Sequence, residues 1–302
     1  MVGSIAYDSV TSPAGNVENA LGGSAVYAGI ASRFHGNYLD LEKIGLVGVV
    51  GQDFRSEDIA MLKSQGLDLS GLEVAEGKTF RWEGSYHGDM GVAETHDTQL
   101  NVFGDFDPKV PLESATPKVL FCANLVPILQ SKVLQQAKGT RISMLDSMNL
   151  WIEIAKDDLL AVMKSVDLII INDGEVRMLA QDDNLIRASR ALIKMVGCQT
   201  LIIKKGENGV VAFHDGEIIS LPAYPTENVV DPTGCGDSFA GTIAAFLASN
   251  EGNISRDELR EALIRATVTA SFTLESFGTS GLLNLTNEMF NSRLIEFERI
   301  LN

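Results

Sequence analysis

Several short runs of this chain are apolar at successive positions rather than at alternate ones. Ile44–Val50, Val119–Ala123, Ile142–Asp146, Leu168–Asn172 and Leu201–Lys205 all show it. A strand half-exposed to water alternates polar with apolar residues, whereas a strand covered on both faces is apolar throughout. Between these runs lie helical patterns: Gly23–Phe34, Ser56–Gln65, Ile128–Ala137, Trp151–Lys164, Asn184–Val196, Asp237–Ala248, Arg256–Leu274 and Glu288–Ile300. The alternation predicts an α/β fold with a mainly parallel sheet. Val2–Ala6 reads as its first strand. Val210–His214 and Glu217–Leu221 read as a hairpin around Asp215-Gly216.

Two stretches break the rhythm. Thr11 to Leu21 is loop-like, and Lys78 to Phe103 reads as short alternating strands, Thr79–Glu83 and Thr98–Phe103. Together they predict a small β-sheet projecting from the main body as a lid, with segments at about 11–21 and 78–103. An ordinary surface hairpin is the competing reading, and periodicity does not separate the two. No repeat or low-complexity linker divides the chain, so residues 1–302 read as one domain. The first strand begins almost at Met1; either it is short or the native chain starts upstream.

With 302 residues, 45% of them hydrophobic, the chain suffices for one large core. The formal net charge of −16 gives a surface that repels nucleic acid and anionic membrane. Three scattered cysteines, Cys122, Cys198 and Cys235, leave one necessarily unpaired and fit a reducing cytoplasm. The four histidines form no HExxH spacing and no CxxC is present, which argues against a zinc site. No run is long enough to read as a membrane span, and no signal peptide is recognisable.

The strongest chemical signal is Val230-Asp-Pro-Thr-Gly-Cys-Gly-Asp-Ser-Phe239, a Gly-rich turn leading into a helix. Glycines let the backbone fold tightly, so that successive N–H groups can point at one anion. The helix N-terminus adds partial positive charge there. A carboxylate at the same point, Asp237, supplies a proton acceptor. That pairing suits phosphoryl transfer, in which amides steady the charge of the moving group while a base takes the acceptor's proton. The plain alternative is that Asp237 caps the helix and the glycines merely turn the chain.

The longer string resembles the C-terminal signature of the ribokinase-like (PfkB) carbohydrate kinases. Other segments resemble that family in the same order: Gly3-Ser-Ile-Ala-Tyr-Asp8, Leu21-Gly-Gly-Ser-Ala-Val-Tyr-Ala-Gly29, Gly45–Phe54 (with one extra residue in its spacing), Asn172-Asp-Gly-Glu175 and Lys205-Gly-Glu-Asn-Gly209. The resemblance implies a three-layer sandwich with a small β-sheet lid. It implies an ATP-dependent kinase acting on a hydroxyl of a small molecule, with Mg²⁺ and in some members K⁺.

Residue by residue, the resemblance makes Asp237 the base and Gly234, Cys235 and Gly236 the anion hole. Asn172 and Glu175 would help to place Mg²⁺ and the phosphates, Glu175 through water. Lys204, Gly206 and Gly209 would lie against the nucleotide. Asp8, Gly22, Gly23 and Asn124 would hold the acceptor. Asp231 and Thr233 would offer oxygens to a monovalent cation. Apart from the resemblance, the charge of Arg81 on the lid suits a substrate anion and the ring of Trp82 suits stacking, with a solvated strand carrying a packed aromatic as the plain alternative. Each has a bland reading too: Asn172 as a helix cap, Gly206–Gly209 as a hairpin turn, Asp8 as a solvated strand end. Asp8, Asp146 and Asn172 all fall at expected carboxyl ends of strands, where ligands of open α/β sheets gather. Asp146 and Asn149 would face the phosphates or cap the next helix.

Two departures from the family pattern stand out: Tyr27 replaces a frequent asparagine, and Cys235 a frequent alanine. Gly71–Thr79 nearly reads as a phosphate-binding loop, but five residues separate its glycines and a β pattern follows, which excludes it. No G-x-G-x-x-G follows the first strand, which disfavours a dinucleotide-binding dehydrogenase. The expected acceptor is a sugar or polyol, with a nucleoside as the alternative. Stacking aromatics in the acceptor pocket would favour the nucleoside, and a ring of Asp and Asn acceptors the sugar. A catalytically silent metabolite-binding relative is the other class, and the intact Gly-Cys-Gly-Asp string argues against it. A homodimer through the lid strands is a further expectation.

Overall fold

Strands that are apolar on both faces need a layer of helices on each side, and the chain supplies them. The computed structural model describes residues 1–302. In chain order the elements are β1 (Ala6–Ser12), β2 (Gly15–Gly22), α1 (Ser24–Tyr38), β3 (Gly45–Gly51), α2 (Ser56–Ser64), β4 (Asp68–Ala75), β5 (Phe80–Tyr86), β6 (Ala93–Gln99), β7 (Val119–Cys122), α3 (Pro127–Gln136), β8 (Ile142–Asp146), α4 (Asn149–Ile154), α5 (Lys156–Met163), β9 (Leu168–Asn172), α6 (Asp173–Ala180), α7 (Leu185–Val196), β10 (Thr200–Lys204), β11 (Val210–His214), β12 (Glu217–Leu221), α8 (Cys235–Ala248), α9 (Arg256–Leu274), α10 (Ser280–Leu283) and α11 (Asn287–Leu301).

The central sheet runs β12-β11-β10-β9-β8-β7, with β7 to β10 parallel and β11–β12 an antiparallel hairpin. Side chains of β9 and β10 sort by parity. Leu168, Ile170 and Ile202 enter a cluster of 29 buried residues built with α8, α9 and α11. Ile169, Ile171, Leu201 and Ile203 enter a second cluster, of 18, with α5, α6 and α7. This two-sided sorting is the three-layer sandwich that the unbroken apolar runs predict.

The parallel pair β3–β4 joins this sheet through a single residue. Val2 forms isolated parallel bridges to Val47 and Cys122. Its N–H donates to Phe121 O at 2.9 Å and its carbonyl accepts from Ala123 N at 2.8 Å, while Val47 N donates to Met1 O at 2.8 Å.

The expected first strand, Val2–Ala6, is thus corrected: Val2 alone bridges the main sheet, and β1 starts at Ala6 in a different sheet. That second sheet, in the order β2-β1-β5-β6, is the lid. Thr11–Leu21 is no loop but most of the β1–β2 hairpin. The expected strand at Thr98–Phe103 lies earlier, at Ala93–Gln99, and is followed by a single tight turn of helix at Asn101–Asp105. Trp151–Lys164 is two helices, interrupted at Ala155, whose φ of −144° is not helical. Both β4 and α10 are additions to the expected elements, while α6 is the helix that Asn172 was expected to cap.

Candidate active site

The turn before α8 is built by side-chain-to-backbone bonds. Asp231 is fully buried. Its carboxylate accepts Thr233 N at 2.9 Å and Gly278 N at 3.3 Å, fixing the loop against the end of α9. Gly234 then takes φ 77°, a left-handed conformation that costs other residues strain. Its backbone lies flat on the Tyr27 ring, where an added Cβ would stand 2.3 Å from a ring carbon, so only glycine fits.

This turn aims amides. The Cys235 N–H is taken by Pro232 O at 3.1 Å, while those of Gly234, Gly236 and Asp237 find no acceptor in the protein. Of the three amides expected to form an anion hole, those of Gly234 and Gly236 are thus free, that of Cys235 is already bonded within the turn, and that of Asp237 is free beside them. The Cys235 thiol points away, toward Ala270 O at 3.6 Å, and burial pushes its pKa up.

The Asp237 carboxylate makes no hydrogen bond within the protein and is only partly open to water. Burial pushes it up to about 7; Asp146 adds to the rise and Lys204 opposes it. These neighbours arrive from adjacent parallel strands, because β8 ends in Asp146, β9 in Asn172 and β10 in Lys204. Lys204 Nζ donates to Asp146 Oδ2 at 2.7 Å. Asn172 and Glu175 form a reciprocal helix cap, with Glu175 N donating to Asn172 Oδ1 and Asn172 N to Glu175 Oε2, both at 2.8 Å. The Glu175 carboxyl is pushed up to about 7, mainly by burial and then by Asp146.

On the other side, β1 carries Asp8 in from the lid. Asp8 does not end a core strand, which corrects that expectation, yet it reaches the same cleft. It is buried, accepts the Gly23 amide and rises to about 7 through burial, with further contributions from Asp231 and Asp237. A Cβ on Gly22 would lie 1.9 Å from its Oδ2. Tyr27 lies among the same acids; its hydroxyl is buried without a partner, and burial holds the phenol well above its usual pKa.

The lid touches the turn through two hydrogen bonds: Thr233 Oγ1 donates to Tyr86 Oη at 3.2 Å, and Ser12 Oγ to Val230 O at 2.6 Å. Strand register pairs Asp8 with Trp82 and Val10 with Gly84, so Trp82 and Tyr86 share the face that carries Asp8. Around them pack Val10, Val17, Met90 and Phe277.

The structure does not bring two expected residues to this cleft. Arg81 pairs in register with Tyr7, on the opposite face of the lid, and donates to Asp53 Oδ2 at 2.8 Å and to Asn19. Asn124 is committed to Trp151, whose Nε1 donates to its Oδ1 at 2.8 Å, and to Met148. Gly206 (φ 54°) faces open space, whereas Gly209 (φ 80°) packs against Leu221 O as a turn residue. Sequence reasoning took Tyr86 as an ordinary packed residue of a lid strand, and only the three-dimensional fold reveals Thr233 opposite it. It also left open what Asp146 faces, and the answer is Lys204.

No three His, Cys, Asp or Glu side chains gather as a metal cage. No helix is long and apolar enough to cross a membrane. A cleft of about 590 Å³ lies elsewhere, between the amino ends of β3 and β7 and the end of α8.

Residues 2–285 match the family described as pfkB family carbohydrate kinase. The chain belongs to that family. PfkB kinases are phosphotransferases with a hydroxyl acceptor, and this one has the matching architecture. It is 31% identical over 280 residues to the cytidine kinase of Thermococcus kodakarensis, covering 88% of this chain and 93% of that protein. The crystal structure of the Methanocaldococcus jannaschii nucleoside kinase, described as an archaeal member of the ribokinase family, superposes with a TM-score of 0.74 at 20% identity, covering 98% of this chain and 97% of that one. The ribokinase of Thermotoga maritima gives 0.74 at 17% identity, covering 97% and 98%. At those identities the two structures speak for the fold of this PfkB kinase.

Proposed function

We propose that this PfkB kinase transfers the γ-phosphoryl group of ATP to a ribose hydroxyl of a nucleoside, with Asp237 as the general base. The carrying observation is the junction at the start of α8, where the amides of Gly234, Gly236 and Asp237 are without acceptors next to a carboxylate that itself has no hydrogen-bond partner. A base with a pKa near 7 is matched to proton removal at neutral pH. The amides receive charge on the phosphoryl oxygens as Asp237 accepts the acceptor's proton.

ATP lies along Lys204 and Gly206, where the backbone is open to solvent. Mg²⁺ keeps much of its water and takes its other ligands from phosphates, so a site with one or two carboxylates suits it. The hard oxygens of Glu175, beside Asp146, fit that requirement. Bound there, the ion would offset negative charge on the nucleotide.

Asp8, with the Gly22–Gly23 backbone, supports acceptor hydroxyls. Support for a nucleoside comes from the lid face that carries Trp82 and Tyr86, with Phe277 packed against it from beyond α9, an aromatic surface on which a base can stack. The 31% identity to a cytidine kinase points the same way. A free sugar or polyol would use Asp8 alike but leave the aromatics unused. An ATP-consumption screen over ribonucleosides, pentoses, hexoses and cyclitols tests the proposal. Turnover at micromolar nucleoside is expected, and turnover with free sugars alone would overturn the nucleoside assignment.

A further inference from the structure

Lys204 ends β10 with its ammonium in an unusual place. It is largely enclosed, with 21% of its side chain exposed, and Asp146 opposite it retains 6%. An added Cβ on Gly236 would lie 3.0 Å from Nζ. The cation therefore sits against the same short stretch of backbone whose amides are without acceptors. An ammonium has three N–H donors; the single hydrogen bond to Asp146 leaves two of them unused.

Burying an ion pair costs desolvation that its attraction barely repays, so such a pair is weak as a stabilising device. Three carboxylates act on this one ammonium: Asp146, Glu175 and Asp237. A lysine placed among them has a harmful option, which is to pair with Asp237 and occupy the base. The structure shows the other outcome. Asp146 holds Lys204 at 2.7 Å, and Asp237 forms no hydrogen bond with it. Gln130 in turn anchors the end of β8, its Nε2 donating to Asp146 O and to Ala123 O, both at 2.9 Å.

We propose that Lys204 is a catalytic residue that neutralises charge on the phosphoryl group during transfer, and that Asp146 is the positioning residue that points it at the amides and keeps it off Asp237. The inference rests on the kinase reading above and goes beyond a nucleotide contact, because it assigns the lysine to the transition state. Charge that builds up only during reaction is met by a fixed cation in a site of low dielectric, where such groups act most strongly.

The test uses Lys204→Met, Asp146→Asn and the double variant, assayed with ATP and the acceptor returned by the screen. ADP affinity is measured separately by calorimetry without acceptor. Lys204→Met is expected to lower kcat by about 10² while leaving ADP affinity within about threefold, as for loss of a transition-state donor. Asp146→Asn should lower kcat by roughly tenfold, again sparing ADP affinity. In the Lys204→Met background it should cost nothing more, because its effect runs through the lysine. The double variant buries no unpaired charge, so it guards against a fold that fails when one partner is removed.

Three results would overturn the proposal: near-normal kcat in Lys204→Met, ADP affinity falling in step with kcat, or Asp146→Asn costing as much without the lysine as with it. Asp237→Asn separates the two levels. If it is inactive while Lys204→Met turns over normally, only this inference fails; if Asp237→Asn is itself active, the underlying reading falls with it.

Discussion

The two walls of the cleft are built to different standards. The wall made by the ends of β8, β9 and β10 and the start of α8 rests on apolar clusters of 29 and 18 buried residues. The lid wall has a cluster of three, Val10, Tyr86 and Met90, and meets the turn before α8 through the two hydrogen bonds from Thr233 and Ser12. Groups proposed to handle the phosphoryl are thus fixed by close packing, which resists displacement. Groups proposed to meet the acceptor stand on a thin sheet that can shift at little cost. Such a division lets one chemistry be kept while its acceptor changes.

The comparison yields graded expectations. Asp237→Asn, on the packed wall, should lower kcat by about 10² to 10⁴, with thermal stability at pH 8 undiminished. Steady-state kinetics and a melting curve check both, and a rate near that of the wild type would remove the distinction between the walls. Next comes pH. Asp237 rises to about 7 in the folded enzyme, so its ionised, proton-accepting form dominates above that pH and is lost below it. The kcat/KM profile should be flat above about pH 7 and fall about tenfold per unit toward pH 5. A profile still flat at pH 5 contradicts the assignment.

Gly234→Ala forces a side chain into the Tyr27 ring at φ 77°. A drop in kcat of roughly 10-fold and a loss of about 1–3 kcal/mol are expected, read from rate and denaturant midpoint together. On the lid, Trp82→Ala should raise acceptor KM by roughly tenfold and leave kcat within about threefold, as loss of a stacking partner does. Smallest is Tyr86→Phe, which deletes one lid-to-turn hydrogen bond worth about 1 kcal/mol and should raise acceptor KM a few-fold. If the lid variants cut kcat as deeply as the α8 variants, the lid is part of the chemical machinery and the two walls are one.

The packed wall was the more legible in sequence. Leu168–Asn172 and Leu201–Lys205 announce themselves because both faces are buried, and Arg256–Leu274 is helical over the whole expected span. The lid was harder. Its strands are largely polar, as in the run from Glu94 to Gln99, so periodicity set the strand too late. Val2 to Ala6 misled because an apolar run can end a core strand and begin a lid strand without any change in composition. At the site, Asp237 and the glycines were visible as a string. That the Cys235 amide turns inward to Pro232 was not visible, since backbone hydrogen bonds leave no mark on residue identity. Arg81 was chosen for its charge, but a one-residue register decides which face of a strand a side chain takes.

Val2 carries a consequence for how this chain assembles. The seam between the β3–β4 pair and the rest of the central sheet is stitched by residues at the very start of the sequence to Phe121 and Ala123, about 120 positions later. During synthesis the Val2 N–H and carbonyl must wait for Phe121 and Ala123 until that later segment has left the ribosome, even where Val47 is already beside them. Closing so long a loop is entropically expensive and rewarded only at the end. The join is therefore expected to be among the last steps of folding, and a proline at position 2, which removes the donor to Phe121, should slow it while each half of the sheet forms as before.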